Sequence, residues 1–240
     1  MKSKYNHTVD FHNLQAPREI APTIVKLLNP KSVVDVGCGL GTFLKAFKEN
    51  GVEKILGIDG KWCKKDLLFK NITPDEFVEK ELEQPISLDE QFDLVVCLEV
   101  AEHISHERAE TFAEDLTKLG KTILFSAAIP LQGGDHHLNE QWLAYWEEKF
   151  AKCGYTVLDK LKPFFWENEK VFWWYKQNMV LVTRDEKVIE KFQELPSNSL
   201  TNVIHPELFH TVSDFRDKNA VKRYARGLYK STLYKLGLIK

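Results

Sequence analysis

Two carboxylates and an imidazole lie within five residues of one another in the stretch CLEVAEHI, at Glu99, Glu102 and His103. The apolar residues before them predict a buried strand that ends at this cluster. Carboxylates beside an apolar strand repel and desolvate one another unless they are paired or take part in chemistry. The structural alternative is that Glu102 begins a helix, where it faces the positive end of the dipole, and that His103 is a capping or core residue.

A second group of titratable side chains, Asp135, His136 and His137, lies in the stretch PLQGGDHHLNEQW. The two glycines before it form a hinge that would let this loop fold over a site. The alternative is a solvated connection in which Asn139 caps the next helix. Because histidine can remove a proton from an alcohol, and histidines with carboxylates can hold a divalent cation, the two clusters indicate general-base or metal-assisted chemistry.

The stretch VVDVGCGLGTFL, residues 33–44, runs from an apolar strand through three alternate glycines into a helix. Gly37 and Gly39 permit a tight turn and a close approach of the backbone to a ligand, and Gly41 permits close packing of the helix. Asp59 ends the next predicted strand, where a carboxylate can accept both hydroxyls of a ribose. Glycine-rich turns also occur without a ligand, but their combination with Asp59 favours a nucleoside site.

The elements that position these residues alternate between apolar strands and amphipathic helices. Strands are predicted at 32–37, 54–59, 92–99 and 121–128, with a weaker one at 77–82. Because such alternation forms crossover units, it predicts an α/β fold with a doubly wound, mostly parallel, seven-stranded sheet. Two later stretches, YTVLDKLKP and VFWWYKQNMVLVTR, follow each other with only a polar turn between them and predict a terminal antiparallel hairpin.

The 240-residue chain carries 33 basic and 35 acidic residues, a balance that offers no general attraction for nucleic acid or an anionic membrane. Its four cysteines are widely spaced and form no CxxC pair, which predicts free thiols in a reducing compartment. The sequence shows neither a signal peptide nor an apolar run long enough to cross a bilayer. We therefore expect a cytoplasmic protein without a transmembrane segment.

Four stretches occur in the order typical of one enzyme family: SVVDVGCGLGTFL, GIDG, FDLVVCLEVAEHI and FSAAIPLQGGDHHLNEQW. On these stretches the sequence resembles class I S-adenosylmethionine-dependent methyltransferases, from about Ala16 to Leu181. The last stretch is similar to that of a bacterial subgroup associated with surface glycan synthesis. The resemblance implies a Rossmann-like methyltransferase domain over residues 1–184, followed by a helical, basic and amphipathic extension over residues 185–240.

The resemblance also implies where S-adenosylmethionine would bind. The glycine turn would hold its methionine part, Asp59 its ribose, and Leu98 would lie near its amino group. Glu81 or Leu82 would edge the adenine, although the family's usual pair at this point is Asp-Leu. The residues assigned to the cofactor in this way are Asp35, Gly37, Cys38, Gly39, Gly41, Asp59, Gly60, Glu81, Leu82 and Leu98.

The pattern matched in the last stretch, GGxxHxNEQW, includes His137 and not His136. We expect His137 to act as the general base toward an acceptor alcohol, with His103 as the second candidate. Alternatively, Glu99, Glu102, His103 and His137 form a mixed oxygen and nitrogen ligand set suited to Mg²⁺ or Mn²⁺. This set resembles the E-x-x-E-H and distant histidine of plant small-RNA ribose methyltransferases.

Aromatic residues are dense in the stretch KPFFWENEKVFWWYKQN, residues 162–178. Alternate spacing in a strand predicts that most of them pack in the core. Rings that remain outside, among Trp166 and residues 173–175, would stack on the CH faces of sugars, with Gln177 and Asn178 reading hydroxyls.

Residues 216–240 contain eight basic residues and one acidic residue, interleaved with tyrosine and leucine at helical spacing. This pattern predicts a basic amphipathic helix, which packs on its own domain or on a dimer mate, or binds a membrane surface or another protein. A membrane role would place the protein peripherally at the inner membrane surface.

These features together predict an S-adenosylmethionine-dependent O-methyltransferase that acts on a sugar hydroxyl of a surface glycan or its precursor. The alternatives are methylation of RNA ribose, methylation of a small metabolite of the quinone or natural-product type, and a catalytically inactive cofactor-binding scaffold. The RNA alternative predicts basic side chains along the approach to the cleft, and the sequence shows no such stripe outside the tail.

Overall fold

A computed structural model of the chain describes residues 12–195, 203–213, 220–236 and 238. They divide into two compact units, one that ends at Val203 and one that begins at Ile204. The unit that contains the sheet thus extends beyond residue 184, and the predicted domain boundary there stays a prediction.

A seven-stranded sheet with the strand order β3-β2-β1-β4-β5-β7-β6 forms the centre of the first unit. Strands β1 to β5 are parallel, and β7 is antiparallel to both of its neighbours. The predicted doubly wound sheet with a terminal antiparallel pair is therefore confirmed. The strands are β1 (Ser32–Val36), β2 (Lys54–Asp59), β3 (Phe77–Glu79), β4 (Leu94–Leu98), β5 (Thr122–Ser126), β6 (Thr156–Leu158) and β7 (Val180–Thr183).

Helices cover both faces of the sheet, because the central strands are buried on both sides and read as continuous apolar runs. The α-helices of the described residues are α1 (Gln15–Leu28), α2 (Thr42–Glu49), α3 (Lys65–Leu68), α4 (Ala109–Leu119), α5 (Leu143–Lys152), α6 (Lys162–Phe165), α7 (Trp173–Asn178), α8 (Glu186–Gln193), α9 (Pro206–Ser213) and α10 (Ala220–Lys235). One core contains α1, α2 and α8, and the other contains α4 and α5. None of these helices is long and apolar enough to cross a membrane.

The chain order of the sheet reverses at β1, which lies between β2 and β4. In open α/β sheets ligands bind in the crevice outside the carboxyl ends of the strands at such a point. The glycine turn follows β1, and the cluster of Glu99, Glu102 and His103 follows β4, so the topology places both predicted sites at this crevice.

The segment after β6 differs from the predicted hairpin. The stretch VFWWYKQNMVLVTR begins as helix α7, and only its second half forms β7, so the prediction of one long aromatic strand is wrong. A continuous aromatic run has no clear period, and β propensity yields to tertiary packing. Here Tyr175 of α7 packs edge-on against Phe43 of α2, with 5.5 Å between ring centroids, and this contact holds the helix beside the crevice.

A buried ion pair holds the segment between β3 and β4 against α4. Arg108 and Asp115 are both buried, and Asp115 also accepts the backbone N–H of Ile86 at 2.8 Å. Glu83 of the same segment accepts the backbone N–H and the hydroxyl of Ser105, at 2.7 and 2.9 Å. These bonds fix the edge of the crevice on which the predicted adenine contacts lie.

Candidate functional site

A cavity of about 550 Å³ opens at the carboxyl ends of β1, β2 and β4. This volume falls within the range of small-molecule and cofactor sites. Gly41 and Gly60, which the sequence predicts as cofactor contacts, are not part of its lining. The other assigned residues do line it: Asp35, Gly37, Cys38, Gly39, Asp59, Glu81, Leu82 and Leu98.

The glycine turn has the tight geometry that the sequence predicts. Gly37, Gly39 and Gly41 all have left-handed backbones, with φ angles of 83°, 54° and 71°. A Cβ atom on Gly37 would lie 2.4 Å from a methyl carbon of Val100, and one on Gly41 would lie 2.9 Å from Leu68. At these two positions the missing side chains therefore make room for protein groups, while the turn itself lies along the cavity.

The Asp59 carboxylate closes this turn. It accepts the backbone N–H of Gly39 at 2.7 Å and that of Gly60 at 2.6 Å. The Trp62 side chain also donates to it, and the Trp62 ring covers Gly60 so closely that a Cβ there would lie 2.3 Å from the ring. Trp62 lines the cavity and was not predicted from the sequence. The signal in the sequence was an aromatic residue three positions after Asp59, which ends β2.

Asp35, in β1, is a buried carboxyl at the wall of the cavity. Burial raises its pKa to about 8, and the negative charge of Asp59 contributes in the same direction. A cation bound in the cavity would favour the ionised form of Asp35, so that binding and proton release are coupled at this residue.

Glu102 is the most constrained member of the cluster that follows β4. Its side chain is 1% exposed, and its Oε2 atom has no hydrogen-bond partner. Burial raises the pKa of Glu102 well above its ordinary value, and the charge of Glu99 adds to this effect. Its Oε1 atom lies 3.9 Å from Nε2 of His137. Burial therefore disfavours the ionised form of this carboxyl unless a positive charge lies beside it.

Two histidines face this carboxyl. One ligand atom from each of Glu102, His103 and His137 lies within 4.8 Å of the others, and the two imidazole rings pack edge-to-face with centroids 4.8 Å apart. His103 donates from Nδ1 to the carbonyl of His136 at 3.2 Å, a group that can only accept. In the neutral ring, Nε2 of His103 thus carries the lone pair that can take a proton or bind a metal.

Glu140 orients the second histidine and was missed in the sequence. Its Oε1 atom lies 2.9 Å from Nδ1 of His137, and its carboxylate also accepts the backbone N–H groups of Leu131 and Gly133. Against the effect of its burial, these hydrogen bonds lower the pKa of Glu140. An ionised partner at Nδ1 leaves the lone pair of His137 at Nε2, on the side of Glu102. The spacing of three residues between His137 and Glu140 was the available signal.

Glu99 departs from the predicted set of four metal ligands. It lines the cavity, but its Oε2 accepts the side-chain amide of Gln132 at 2.7 Å and its Oε1 accepts that of Asn178 at 3.1 Å. These amides satisfy both oxygens of Glu99, and the ligand atoms that lie within 4.8 Å of one another belong to the other three candidates. Asn178 is therefore committed to Glu99, and Gln177 donates to Asn178 at 2.9 Å, so the prediction that they read acceptor hydroxyls is wrong.

The loop between β5 and α5 is tied to Glu102. The backbone carbonyl of Glu102 accepts the N–H groups of Leu138 and Asn139, which belong to the loop, at 2.8 and 2.9 Å. His136 is exposed, whereas the His137 side chain is only 12% exposed, and the choice of His137 as the general base stays a prediction. Asn139 does not cap the next helix, because α5 begins after Trp142 without a side-chain cap.

Aromatic side chains from the start of α7 form one wall of the cavity. Phe172 and Trp174 stack with centroids 4.5 Å apart, and Trp173 meets Trp174 edge-on at 5.5 Å. All three rings are half-buried and line the cavity together with Tyr175. Trp166, which was predicted as a further sugar contact, does not line it.

Substitution of Gly134 tests whether the position of His137 matters. A Cβ on Gly134 would lie 2.2 Å from Nε2 of His137, so we expect Gly134→Ala to displace the imidazole and to lower turnover about 100-fold with the cofactor saturating. The matched control is Gly133→Ala, whose Cβ would meet nothing within 4 Å and whose left-handed backbone costs about 1–2 kcal/mol. Equal rates in the two variants would show that His137 can move without consequence.

Calorimetry at several pH values tests the role of Asp35. Since its pKa is about 8 in the free protein, affinity for cationic S-adenosylmethionine should rise between about pH 6 and about pH 8 and then level off, with protons released below that point. Asp35→Asn should remove the pH dependence and weaken binding by about tenfold at the upper end.

The same substitution has an independent readout in stability. A raised carboxyl pKa means that Asp35 stabilises the fold most below its ordinary pKa of 3.8, and that this contribution is lost as the pH rises to about 8. Asp35→Asn should therefore raise the melting temperature relative to the parent protein at high pH. An affinity for S-adenosylmethionine that does not change with pH would contradict the assignment of Asp35 as the group that releases a proton on binding.

Comparison with known proteins identifies the family and the fold. A family model described as "Methyltransferase domain" matches residues 11–169, more than half of the chain. A sequence search of curated proteins finds no match. An O-methyltransferase family protein from Burkholderia thailandensis superposes with a TM-score of 0.51 and 12% identity, over 69% of this chain and 54% of that protein, so this chain spans about half its length.

Two further solved structures are matched over most of their own length. The methyltransferase domain of bacterial CtHen1-CN has a TM-score of 0.52 and 20% identity, over 71% of this chain and 100% of that one. CalS10, an amino pentose methyltransferase from Micromonospora echinaspora with S-adenosylmethionine bound, has a TM-score of 0.52 and 12% identity, over 70% and 90%. At these identities the likeness concerns the fold, and the predicted glycan-associated subgroup stays a prediction. The chain belongs to the methyltransferase-domain family and has the fold of S-adenosylmethionine-dependent methyltransferases.

Proposed function

We propose that this protein transfers a methyl group from S-adenosylmethionine to a hydroxyl of a sugar, in a glycan or a glycan precursor. The observation that carries the proposal is the group of Glu102, His103 and His137, which lies in the same cavity as the glycine turn. Oxygen methylation needs a hydroxyl that has lost its proton or is losing it. Glu102, His103 and His137 can promote this loss, either as a base or by holding a metal.

S-adenosylmethionine supplies an electrophilic methyl group on a sulfonium sulfur, and the protein has to orient it and balance its charge. Asp35 and Asp59 provide buried carboxyls on the cavity wall, and Gly37 and Gly39 of the glycine turn provide backbone along the same wall. Trp62 presents an aromatic ring beside Asp59, where it would stack on the adenine or the ribose.

The three grouped residues fit a divalent cation such as Mg²⁺ or Mn²⁺. Oε2 of Glu102 is a buried oxygen without a partner, and a cation would satisfy it and keep the carboxyl ionised. Both histidines have their Nδ1 atoms engaged by acceptors, the usual arrangement behind histidine ligands. Glu102, His103 and His137 would hold the cation, which would lower the pKa of a bound hydroxyl.

A second assignment needs no metal. His137 would take the proton of the acceptor hydroxyl at Nε2, and the hydrogen bond from Nδ1 to Glu140 would stabilise the resulting imidazolium. The two assignments exclude each other, because a histidine that binds a metal through Nε2 cannot accept a proton there. Chelation separates them.

The wall of aromatic rings supports a sugar acceptor. Phe172, Trp173 and Trp174 present half-buried ring surface to the cavity, and such surface packs on the CH faces of sugar rings. The relative CalS10 is described as acting on an amino pentose. Among the described residues that line the cavity there is no lysine or arginine, so nothing in that lining favours an RNA backbone.

The test is a transfer assay with labelled S-adenosylmethionine over glycans, nucleotide sugars, RNA and phenols. We expect transfer to a sugar-containing acceptor and loss of activity on chelation, with recovery on addition of Mn²⁺ or Mg²⁺. His137→Ala should lower turnover by about 10²–10⁴-fold, and cofactor binding should stay intact.

The matched control for this assay is His136→Ala, since His136 is the exposed neighbour of His137. Activity that is indifferent to chelation but lost in His137→Ala would select the general-base assignment. Transfer to RNA or phenols alone would replace the sugar acceptor. Normal cofactor binding without transfer to any acceptor would indicate a scaffold.

A further inference from the structure

Helix α10 carries a concentration of positive charge that the rest of the chain does not share. Its sequence, AVKRYARGLYKSTLYK, contains five basic residues and no acidic one, whereas the whole chain has a net charge of −2. The residues that line the cavity all belong to the first unit, and α10 belongs to the second. The methyl-transfer reaction proposed above therefore does not explain the positive charge of α10.

The helix has an apolar arc and a basic arc. At 100° per residue, Val221, Leu228 and Tyr229 fall on one side with Tyr224 and Ala225. The neighbouring arc contains Lys222, Arg226 and Lys230, with Leu233 among them, and Lys235 falls within the apolar arc. An arc of this kind is usual in helices that cover a core. Here, however, the large apolar side chains are exposed: 80% for Val221, 72% for Leu228 and 65% for Tyr229.

A helix in this state gains little from its own sequence. Gly227 in its interior disfavours the helix, and a helix of this length that buries few side chains is marginal in water. A surface that covers the apolar arc would therefore also stabilise the helix. The side chains of α10 indicate the chemistry of that surface. It should be apolar where it covers the apolar arc, have a polar boundary where tyrosine can lie, and carry negative charge beside the basic arc.

We propose that α10 binds the surface of an anionic lipid bilayer. The apolar arc of Val221, Leu228 and Tyr229 enters the boundary between headgroups and acyl chains, and Lys222, Arg226 and Lys230 contact the lipid phosphates. Charge complementarity supports this occupant over the α10 of a second copy, because a second α10 would bring five further basic residues without an acidic partner. The helix lies on the membrane and does not span it.

Sedimentation of the full chain with lipid vesicles tests the proposal. With vesicles that contain phosphatidylglycerol, we expect binding that weakens as salt is raised, and much weaker binding to pure phosphatidylcholine. The triple variant Lys222→Gln, Arg226→Gln, Lys230→Gln should bind on the order of 100-fold more weakly, since each basic residue near the surface contributes about fivefold. Leu228→Gln with Val221→Gln should also weaken binding, through loss of the apolar arc.

The matched control is the triple variant Lys70→Gln, Lys121→Gln, Lys187→Gln, which removes three exposed lysines outside α10 and should bind vesicles like the parent. Calorimetry with S-adenosylmethionine checks that each variant is folded, and vesicle binding does not depend on methyl transfer. The proposal is overturned if the parent does not bind anionic vesicles, or if both triple variants weaken binding equally. It is also overturned if α10 instead forms dimers that are lost in Leu228→Gln.

Discussion

The carboxyl of Glu102 is the constraint on which the site depends. It is buried in the short turn that follows β4, one of its oxygens has no hydrogen-bond partner, and it lies beside two histidines. A buried carboxyl in this state is costly unless it is protonated or faces a positive charge. The same residue anchors the loop that carries His137, because its backbone carbonyl accepts two N–H groups from that loop. Side chain and backbone of a single residue thus bring the strand end and the histidine loop together.

The glycine turn and the cluster after β4 are coupled by packing. Val100 lies against Gly37 so closely that a side chain at Gly37 would collide with it, and Glu102 follows Val100 by two positions. β1 and β4 are hydrogen-bonded neighbours in the sheet, so the turn and the cluster are held at adjacent strand ends. The methyl donor and the group that prepares the acceptor would therefore be positioned by one rigid unit, as methyl transfer between aligned atoms requires.

Much of this arrangement is predictable from local patterns. Buried parallel strands read as apolar runs, left-handed turns demand glycine, and the order of the strands places the glycine turn beside the cluster of Glu99, Glu102 and His103. The errors concern partners that are distant in sequence. The side-chain amides of Gln132 and Asn178 donate hydrogen bonds to both oxygens of Glu99, and no residue near Glu99 in the sequence predicts these partners. Helix α7 was expected as a strand because a run of aromatic residues fits either element, and its contact with α2 decides the outcome.

We propose that Glu102, His103 and His137 form the metal-binding part of the methyltransferase site. An anomalous-difference map from a crystal grown with Mn²⁺ and S-adenosylhomocysteine tests it most directly. We expect one manganese peak in contact with the Glu102 carboxylate and with Nε2 of both histidines, beside the cofactor, and no such peak in Glu102→Gln. A well-ordered cofactor with no manganese between these three residues would contradict it.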